Sequence, residues 1–291
     1  MISVIIPAYN EENAVGDVVS QVRQVLDAVE HEVIVVDDGS TDSTSRKALE
    51  AGAIVISHPH NIGYGRSLKD GIQAARYDTI VISDADGSYP VEDIPKLVEQ
   101  HQKQGFNMVV GQRTGVNYYE SFSKRNLRYF LTRLVEFTAG RRIPDINSGF
   151  RVFSKGELVP YFQHLCDAFS FTTSMTLAYM MTGKYVTYTP IAYRKRVGET
   201  KVRLFRDSLR TMQIVVQAIL YYNPIKLFLV IGLLQLLAAM VGVGLSLIFH
   251  IPGAFAFGML GILLLFPIFS LGLLADLLRK IMEVRNEKTG E

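Results

Sequence analysis

The N-terminal part of the chain alternates short, apolar, β-branched runs, each ending in an acidic or glycine-bearing turn, with helical stretches. Ile2-Ser-Val-Ile-Ile6 ends in Pro7-Ala-Tyr-Asn-Glu-Glu12, after which apolar residues recur at Val15, Val18, Val19, Val22, Val25, Leu26 and Val29. Glu32-Val-Ile-Val-Val36 ends in Asp37-Asp-Gly-Ser-Thr-Asp42, where Thr41 or Asp42 can cap the next helix. Ala53-Ile-Val-Ile-Ser57 leads to Asn61-Ile-Gly-Tyr-Gly-Arg66 and a helix to Arg76, and Thr79-Ile-Val-Ile-Ser83 leads to Asp84-Ala85-Asp86-Gly87. Runs of this kind read as buried strands. Their alternation with helices predicts an α/β fold built on a doubly wound, mostly parallel sheet. Such sheets bind ligands outside the carboxyl ends of their strands, and all four turns fall at those ends.

Asp84 and Asp86 repel each other unless positive charge sits between them. A hard divalent cation takes oxygen ligands and often keeps contact with a substrate diphosphate, so Asp-x-Asp at a strand end points to a metal–nucleotide site. A solvated strand-to-turn junction also favours Asp and Gly. No Gly-x-Gly-x-x-Gly turn follows the first strand, which argues against a dinucleotide-binding Rossmann fold.

Pro7-Ala-Tyr-Asn-Glu11, Val35-Val-Asp-Asp-Gly-Ser40, Asn61-x-Gly63-x-Gly65 and Asp84-Ala-Asp86, in this order, resemble the family-2 glycosyltransferases of GT-A fold. Three later segments are similar to the polyprenyl-phosphate glycosyltransferases within that family, the group that includes dolichol-phosphate mannose synthase. They are Gly111-Gln-Arg113 after a fifth strand (Asn107–Val110), Lys124-Arg-Asn126 opening a helix to about Thr138, and Asp145-Ile-Asn-Ser-Gly-Phe-Arg151. Arg194-Lys-Arg-Val-Gly-Glu-Thr-Lys201 resembles the basic loop that closes over the donor diphosphate in that group. The resemblance covers roughly residues 1 to 222.

The resemblance implies Mg²⁺ or Mn²⁺, with Asp86 as direct ligand and Asp84 on the ribose or in indirect contact with the metal. Ser88 stands where those enzymes commonly place a metal-binding Gln. Pro7, Tyr9, Glu11 and Asp38 would line the base and ribose pocket together with the Asp84-Ala85-Asp86 segment, while Asp37 either joins them or caps its turn. Arg196 and Lys201 would neutralise the diphosphate, with Gly198 giving the loop its freedom; the same basic stretch also suits attraction to anionic lipid. Arg113 and Arg125 suit a phosphate acceptor, since guanidinium presents a fork matched to phosphate oxygens. Where the resembled enzymes often have Ser four residues after the second arginine, this chain has Tyr129. The alternative for Arg125, Arg128 and Arg133 is a solvated helix face. Asp145 either caps a turn, orients an arginine or acts in catalysis.

The 291 residues carry a net charge of +2 and leave room for one soluble domain plus a membrane segment. Residues 225–249 and 254–275 are each apolar and long enough to cross ~30 Å of hydrocarbon. Their four-residue connector, His250-Ile-Pro-Gly253, makes them a hairpin in which Pro267 introduces a kink. Basic residues flank the pair (Lys201, Arg203, Arg206, Arg210 and Lys226 before, Arg279, Lys280, Arg285 and Lys288 after), which places both termini in the cytoplasm. Residues 201–222 read as an amphipathic helix, lying in the headgroup region or packed on the catalytic domain. The expected organisation is a catalytic domain over 1–200, this helix, the hairpin within 223–278 and a cytoplasmic tail over 279–291. Met1 leads directly into a strand with no basic n-region, so no signal peptide is expected. Cys166 is the one cysteine, consistent with a reducing compartment.

Three functions compete. The first is inverting transfer of one hexose-type sugar from a UDP- or GDP-sugar to a polyprenyl phosphate at the cytoplasmic membrane face. The second is transfer to a lipid or glycan hydroxyl, for which Asp145 is the candidate base. The third is an inert membrane scaffold, against which the intact Asp84, Asp86, Arg113 and Arg196 argue. The chain has no Trp, so the Gln-x-x-Arg-Trp motif of polysaccharide synthases is absent. A transporter is disfavoured because neither span has an ionisable residue near its middle. The expected partners are a nucleotide-sugar, a polyprenyl phosphate and the bilayer, with no nucleic acid; a hairpin of this kind could gain buried area in a homo-oligomer.

Overall fold

The computed structural model describes residues 1–115, 122–197 and 204–289. Contacts divide the chain into two units, Met1–Ile214 and Val215–Glu291.

The first unit is built on a seven-stranded sheet of order β3-β2-β1-β4-β6-β5-β7. The strands are β1 (Ile2–Ala8), β2 (His31–Asp37), β3 (Ile54–Ser57), β4 (Thr79–Ile82), β5 (Met108–Thr114), β6 (Arg151–Ser154) and β7 (Val186–Ala192). Between them run α1 (Val15–Val25), α2 (Thr44–Glu50), α3 (Tyr64–Ala74), α4 (Ile94–Gln104), α5 (Phe122–Ala139), the short α6 (Lys155–Leu158) and α7 (Phe171–Met181). The apolar face of α1, Val15, Val18, Val19 and Val22, is buried in a core with Val4, Ile6, Val33, Val35 and Val81. The β-branched runs become central strands because both of their faces are covered.

The first four strands are parallel, as the alternation of strand and helix requires. β6 departs from that pattern: it lies antiparallel between β4 and β5, with Val152 opposite both Val81 and Val109. β5 is longer than its apolar run suggests. β7 pairs with it from Met108 to Thr114, so Gly111-Gln112-Arg113 lies inside the strand and does not follow it. Gly111 permits this, since a Cβ there would stand 2.8 Å from a Phe150 ring carbon and 3.0 Å from Ile191 Cδ1.

Pro7 sits in a central strand, where a missing N–H usually costs a ladder bond. Ser83 N–H donates to the Ile5 carbonyl, so odd positions of β1 present their backbone to β4. Pairing with β4 ends at Ile5↔Ile82, so Pro7 would present its N–H where β4 no longer runs alongside. The proline therefore costs little, and it lies where β1 and β4 part at their carboxyl ends.

The helix α8 (Leu204–Tyr222) begins in the first unit, where the Thr211 and Ser170 hydroxyls are 2.9 Å apart and buried. This part of the helix is therefore packed within the first unit. The second unit contains α9 (Pro224–Phe249), α10 (Pro252–Leu263) and α11 (Leu265–Thr289). Two stretches, Pro224–Phe249 and Pro252–Ile281, are long and apolar enough to cross a membrane. The second is interrupted at Leu264, three residues before Pro267. A proline ring lacks the N–H and crowds the carbonyl one turn back, here that of Leu263.

The hairpin closes over small residues. A Cβ on Gly258 would stand 2.6 Å from Val243 Cγ2 and 2.8 Å from the Ala239 carbonyl oxygen, and one on Gly261 would meet Ala239 Cβ at 2.9 Å. Backbones that approach this closely gain van der Waals contact, the main attraction available between helices in lipid. Gly258→Leu is expected to lower the thermal unfolding midpoint of the detergent-solubilised chain, by the equivalent of about 1–3 kcal/mol. Gly244→Leu, at a position with open space around it, should leave the midpoint within error; equal losses for both would show that the close approach does not matter.

Candidate active site

β4 ends in the two carboxylates that organise the site. Asp86 is 2% exposed. Its Oδ1 accepts the Ser88 backbone N–H (3.0 Å) and the Ser88 hydroxyl (2.5 Å). This local turn is made possible by Gly87, at φ 70°. Asp86 Oδ2 accepts from Arg196, at 2.7 Å from Nε and also from Nη2. The segment that carries Arg196 is fixed by backbone bonds from Arg194 N–H to the Ser88 carbonyl and from Val197 N–H to the Asp86 carbonyl. Arg194 itself turns away and pairs with Glu92.

Asp84 has Tyr64 for a neighbour, whose hydroxyl donates to Oδ1 at 3.2 Å. Burial, then the charge on Asp86, push the Asp84 carboxyl up to about 7, against the opposing pull of Arg196 and the Tyr64 hydrogen bond. Burial and the Asp84 charge push the Tyr64 phenol well above its ordinary value, so it remains a donor. Among the described residues no three His, Cys, Asp or Glu side chains gather to hold a metal. The donor set nonetheless suits a hard divalent ion: two carboxylates that repel one another, one half-buried and one buried, with a hydroxyl beside them.

Arg113, projecting from β5, donates to Asp145 through Nε and Nη2, both at 2.8 Å, and its backbone N–H donates to the same carboxylate at 3.1 Å. Its guanidinium lies over the Tyr193 ring, 5.4 Å from the centroid. Asp145 is 3% exposed and also receives the Asn147 N–H, so it both caps its turn and orients an arginine.

The loop bearing Asp145 is clamped by Arg151, the last residue of its motif. Arg151 is fully buried and donates to the carbonyls of Ser148 (2.8 Å) and Ile146 (3.0 Å) and to the Thr176 hydroxyl (2.8 Å). The buried Thr and Ser of α7 have their own acceptors, Thr176 bonding the Thr172 carbonyl and Ser174 that of Phe171. Gly149 N–H donates to the Tyr89 hydroxyl at 2.7 Å, and a Cβ on Gly149 would meet both the Tyr64 hydroxyl and Asp84. Tyr64 and Tyr89 were missed as site residues; each stands next to a quoted motif residue, Gly63 or Ser88, and that adjacency was the available signal.

At the ends of β1 and β2, two turns are laced together. Asn10 N–H donates to Ser40 Oγ, Thr41 N–H to Asn10 Oδ1, Glu11 N–H to Thr44 Oγ1 and Glu12 N–H to Asp42 Oδ2. Burial opposes charge on Asp42, but hydrogen bonds from Thr44 and Glu12 hold its carboxyl below the usual value. Asp37 accepts Ser40 N–H and the Ser45 hydroxyl, the turn-capping arrangement. Asp38 faces the next turn, accepting from His58 and from the N–H groups of Ile62 and Gly63. The two glycines of Asn61-x-Gly63-x-Gly65 admit another chain segment: a Cβ on Gly65 would stand 2.2 Å from the Cys166 carbonyl oxygen, and one on Gly63 2.8 Å from that of Asp167.

The structure thus brings Asp84, Ala85, Asp86, Ser88, Arg113, Asp145 and Arg196 together, with Pro7, Tyr9, Glu11 and Asp38 on the adjoining strand ends. Arg125 lies on α5, but its side chain is outside the described residues, as are Gly198 and Lys201.

The family described as Glycosyl transferase family 2 matches residues 3–163. A dolichyl-phosphate hexose transferase of Haloferax volcanii is 30% identical over 70% of this chain and 87% of its own length. A low-salt glycan biosynthesis hexosyltransferase of the same organism is 29% identical over 83% of this chain, which spans 60% of that relative's length. Among solved structures, glucosyl-3-phosphoglycerate synthase from Mycobacterium tuberculosis in complex with phosphoglyceric acid aligns with a TM-score of 0.63 at 22% identity, covering 75% of this chain and 79% of that one. At that identity the likeness establishes the fold.

Between about pH 4 and pH 7 the folded, metal-free chain holds a proton on Asp84 that the unfolded chain releases. Its stability should therefore fall as pH rises through that window. Asp84→Asn is expected to flatten this part of the profile, measured as thermal midpoints with a chelator present. An unchanged slope would show that the Asp84 carboxyl titrates normally.

Proposed function

Because the chain belongs to glycosyl transferase family 2, we propose that it transfers one hexose-type sugar from a UDP- or GDP-sugar to the phosphate of a polyprenyl phosphate, at the cytoplasmic face of a membrane. The observation that carries the choice of acceptor is the state of Asp145. A hydroxyl acceptor needs a base, and the carboxylate best placed in the sequence for that work spends both oxygens on Arg113. A phosphate monoester, with a second pKa near ~6, is already an anionic nucleophile. It needs cations to hold it and no base.

In this reading Asp84, Asp86 and Ser88 would hold Mg²⁺ or Mn²⁺ at the donor diphosphate. The bound ion acts as a Lewis acid that stabilises charge on the leaving diphosphate. Arg196 exchanges its bond to Asp86 for the diphosphate oxygens, bringing its loop over the donor and excluding water from a hydrolysable substrate. Arg113, oriented by Asp145, and Arg125 hold the acceptor phosphate. An acceptor oxygen attacks the anomeric carbon as the bond from that carbon to the diphosphate oxygen breaks. In-line displacement inverts the configuration, and the nucleoside diphosphate leaves. The two apolar helices would anchor the chain beside its lipid substrate, with both termini on the cytoplasmic side, as the distribution of basic residues supports.

The test is a radiolabel transfer assay with the full chain in detergent, Mg²⁺ or Mn²⁺, a panel of UDP- and GDP-sugars, and undecaprenyl or dolichyl phosphate. Label should enter the organic phase as a mild-acid-labile lipid with one donor. Transfer only to a glycolipid or diacylglycerol hydroxyl would overturn the phosphate acceptor. Asp86→Ala is expected to abolish turnover. Arg125→Ala should raise the acceptor KM by roughly tenfold or more while nucleotide binding stays nearly intact; equal loss of both would remove Arg125 from the acceptor site.

A further inference from the structure

Each of the two carboxylates at the end of β4 has one oxygen tied to the protein. Asp86 Oδ1 accepts both the backbone N–H and the hydroxyl of Ser88, at 3.0 and 2.5 Å. A carboxylate oxygen accepts along about two directions, so Oδ1 is filled. Only Oδ2, which faces Arg196, can turn to a new partner. Asp84 Oδ1 accepts the Tyr64 hydroxyl at 3.2 Å. The Gly149 backbone closes the same side: a Cβ there would stand 2.8 Å from the Tyr64 hydroxyl and 2.9 Å from Asp84 Oδ1. Among the described residues Asp84 Oδ2 accepts no hydrogen bond. Both walls are themselves fixed. Tyr64 opens α3, where the Arg66 N–H donates to the Asp167 carbonyl and the Phe169 ring centroid lies 6.4 Å from that of Tyr64. Gly149 is held by the 2.7 Å bond from its N–H to the Tyr89 hydroxyl.

We propose that Tyr64, backed by the Gly149 backbone, makes this site selective for Mg²⁺ or Mn²⁺ over Ca²⁺ by limiting Asp84 to a single ligating oxygen. The inference rests on the reading of Asp84 and Asp86 as a metal site. Ca²⁺ takes about six to eight oxygens and readily draws both oxygens of one carboxylate, whereas Mg²⁺ keeps a strict octahedral shell. Two carboxylates that each offer one oxygen match the octahedral ion. They deny the larger ion the extra contacts that its longer bonds require. Ser88 limits Asp86 in the same way, and its hydroxyl, having given its hydrogen to Oδ1, keeps lone pairs for the ion. Tyr64 acts through Asp84 and is a positioning residue, not a catalytic one.

Mn²⁺ binding to the full chain in detergent, read from the paramagnetic resonance signal of the free ion, tests this. Mg²⁺ and Ca²⁺ serve as competitors, with and without UDP or GDP, and each mixture is compared with the same mixture lacking protein. Mg²⁺ should displace Mn²⁺ from the wild-type chain more effectively than Ca²⁺ does. Ca²⁺ competing as well as Mg²⁺, or better, overturns the proposal. Tyr64→Phe removes the hydroxyl while keeping the ring, so Asp84 can close on the ion with both oxygens. The effectiveness of Ca²⁺ relative to Mg²⁺ should then rise severalfold. A general weakening of the site would lower both competitors alike and leave their ratio unchanged; that result in Tyr64→Phe would overturn the role assigned to Tyr64. Asp86→Ala separates this failure from that of the site. If it leaves Mn²⁺ binding intact, or if the wild-type chain binds no Mn²⁺ in any mixture, the metal-site reading fails and the selectivity argument with it.

Discussion

Negative charge gathered at the carboxyl end of β4 sets the terms for the rest of the site. Asp84 and Asp86 are too close and too buried to be charged independently, so each is tied to a partner of its own. Arg196 supplies a cation to Asp86, and the Tyr64 hydroxyl donates to Asp84. Asp84 rises toward neutrality because desolvation and repulsion outweigh those aids. A site in this condition favours any species that brings positive charge to the pair. A divalent ion would do so with two charges where Arg196 brings one, and in the proposed function it would leave the arginine to meet the donor diphosphate. The ion pair between Arg196 and Asp86 and the proposed metal site are then two states of one electrostatic balance.

The sheet makes this balance possible by its one irregularity. A wholly parallel continuation after β4 would have carried β5 alongside it. The antiparallel β6 intervenes, and it brings the Asp145–Arg151 loop to the same end of the sheet as Asp84 and Arg113. Arg151 then fastens that loop from beneath through carbonyls and a hydroxyl of α7. A buried guanidinium is costly unless its donors are used, and here they serve to hold the residue that orients Arg113. The result is a guanidinium plane fixed against Asp145.

The β-branched runs and the turns after them announced the parallel half of the fold because strands buried on both faces leave a local signature. The antiparallel placement of β6 was not legible: a four-residue strand takes its direction from its neighbours, and nothing in Arg151-Val-Phe-Ser154 records which way it runs. The extension of β5 through Arg113 was hidden for the same reason, since it depends on β7, some eighty residues away. In the candidate site, Asp84 and Asp86 were legible from charge and spacing, and Arg196 only through the resemblance of its basic segment to a family loop. His58, Tyr64 and Tyr89 were not, because each matters through one hydrogen bond to a group distant in sequence. The break at Leu264 was foreshadowed by Pro267, whose effect on a helix is local.

The proposed prenyl-phosphate acceptor makes two different physical demands on the chain. Such a substrate has a charged head and a tail that does not leave the bilayer, so an enzyme dissolved in bulk water would meet it only by repeated encounters with the membrane. A helical pair whose glycine face is turned inward and whose Leu, Phe and Ile side chains are turned outward suits a bilayer, where the head of such a substrate is found. The proposed nucleotide donor, by contrast, is soluble, and its recognition would fall to hydrogen bonds aimed from rigid strand ends. One chain therefore needs both an apolar exterior and a buried polar interior. The division at Ile214 separates a unit with a buried polar interior from one with an apolar exterior.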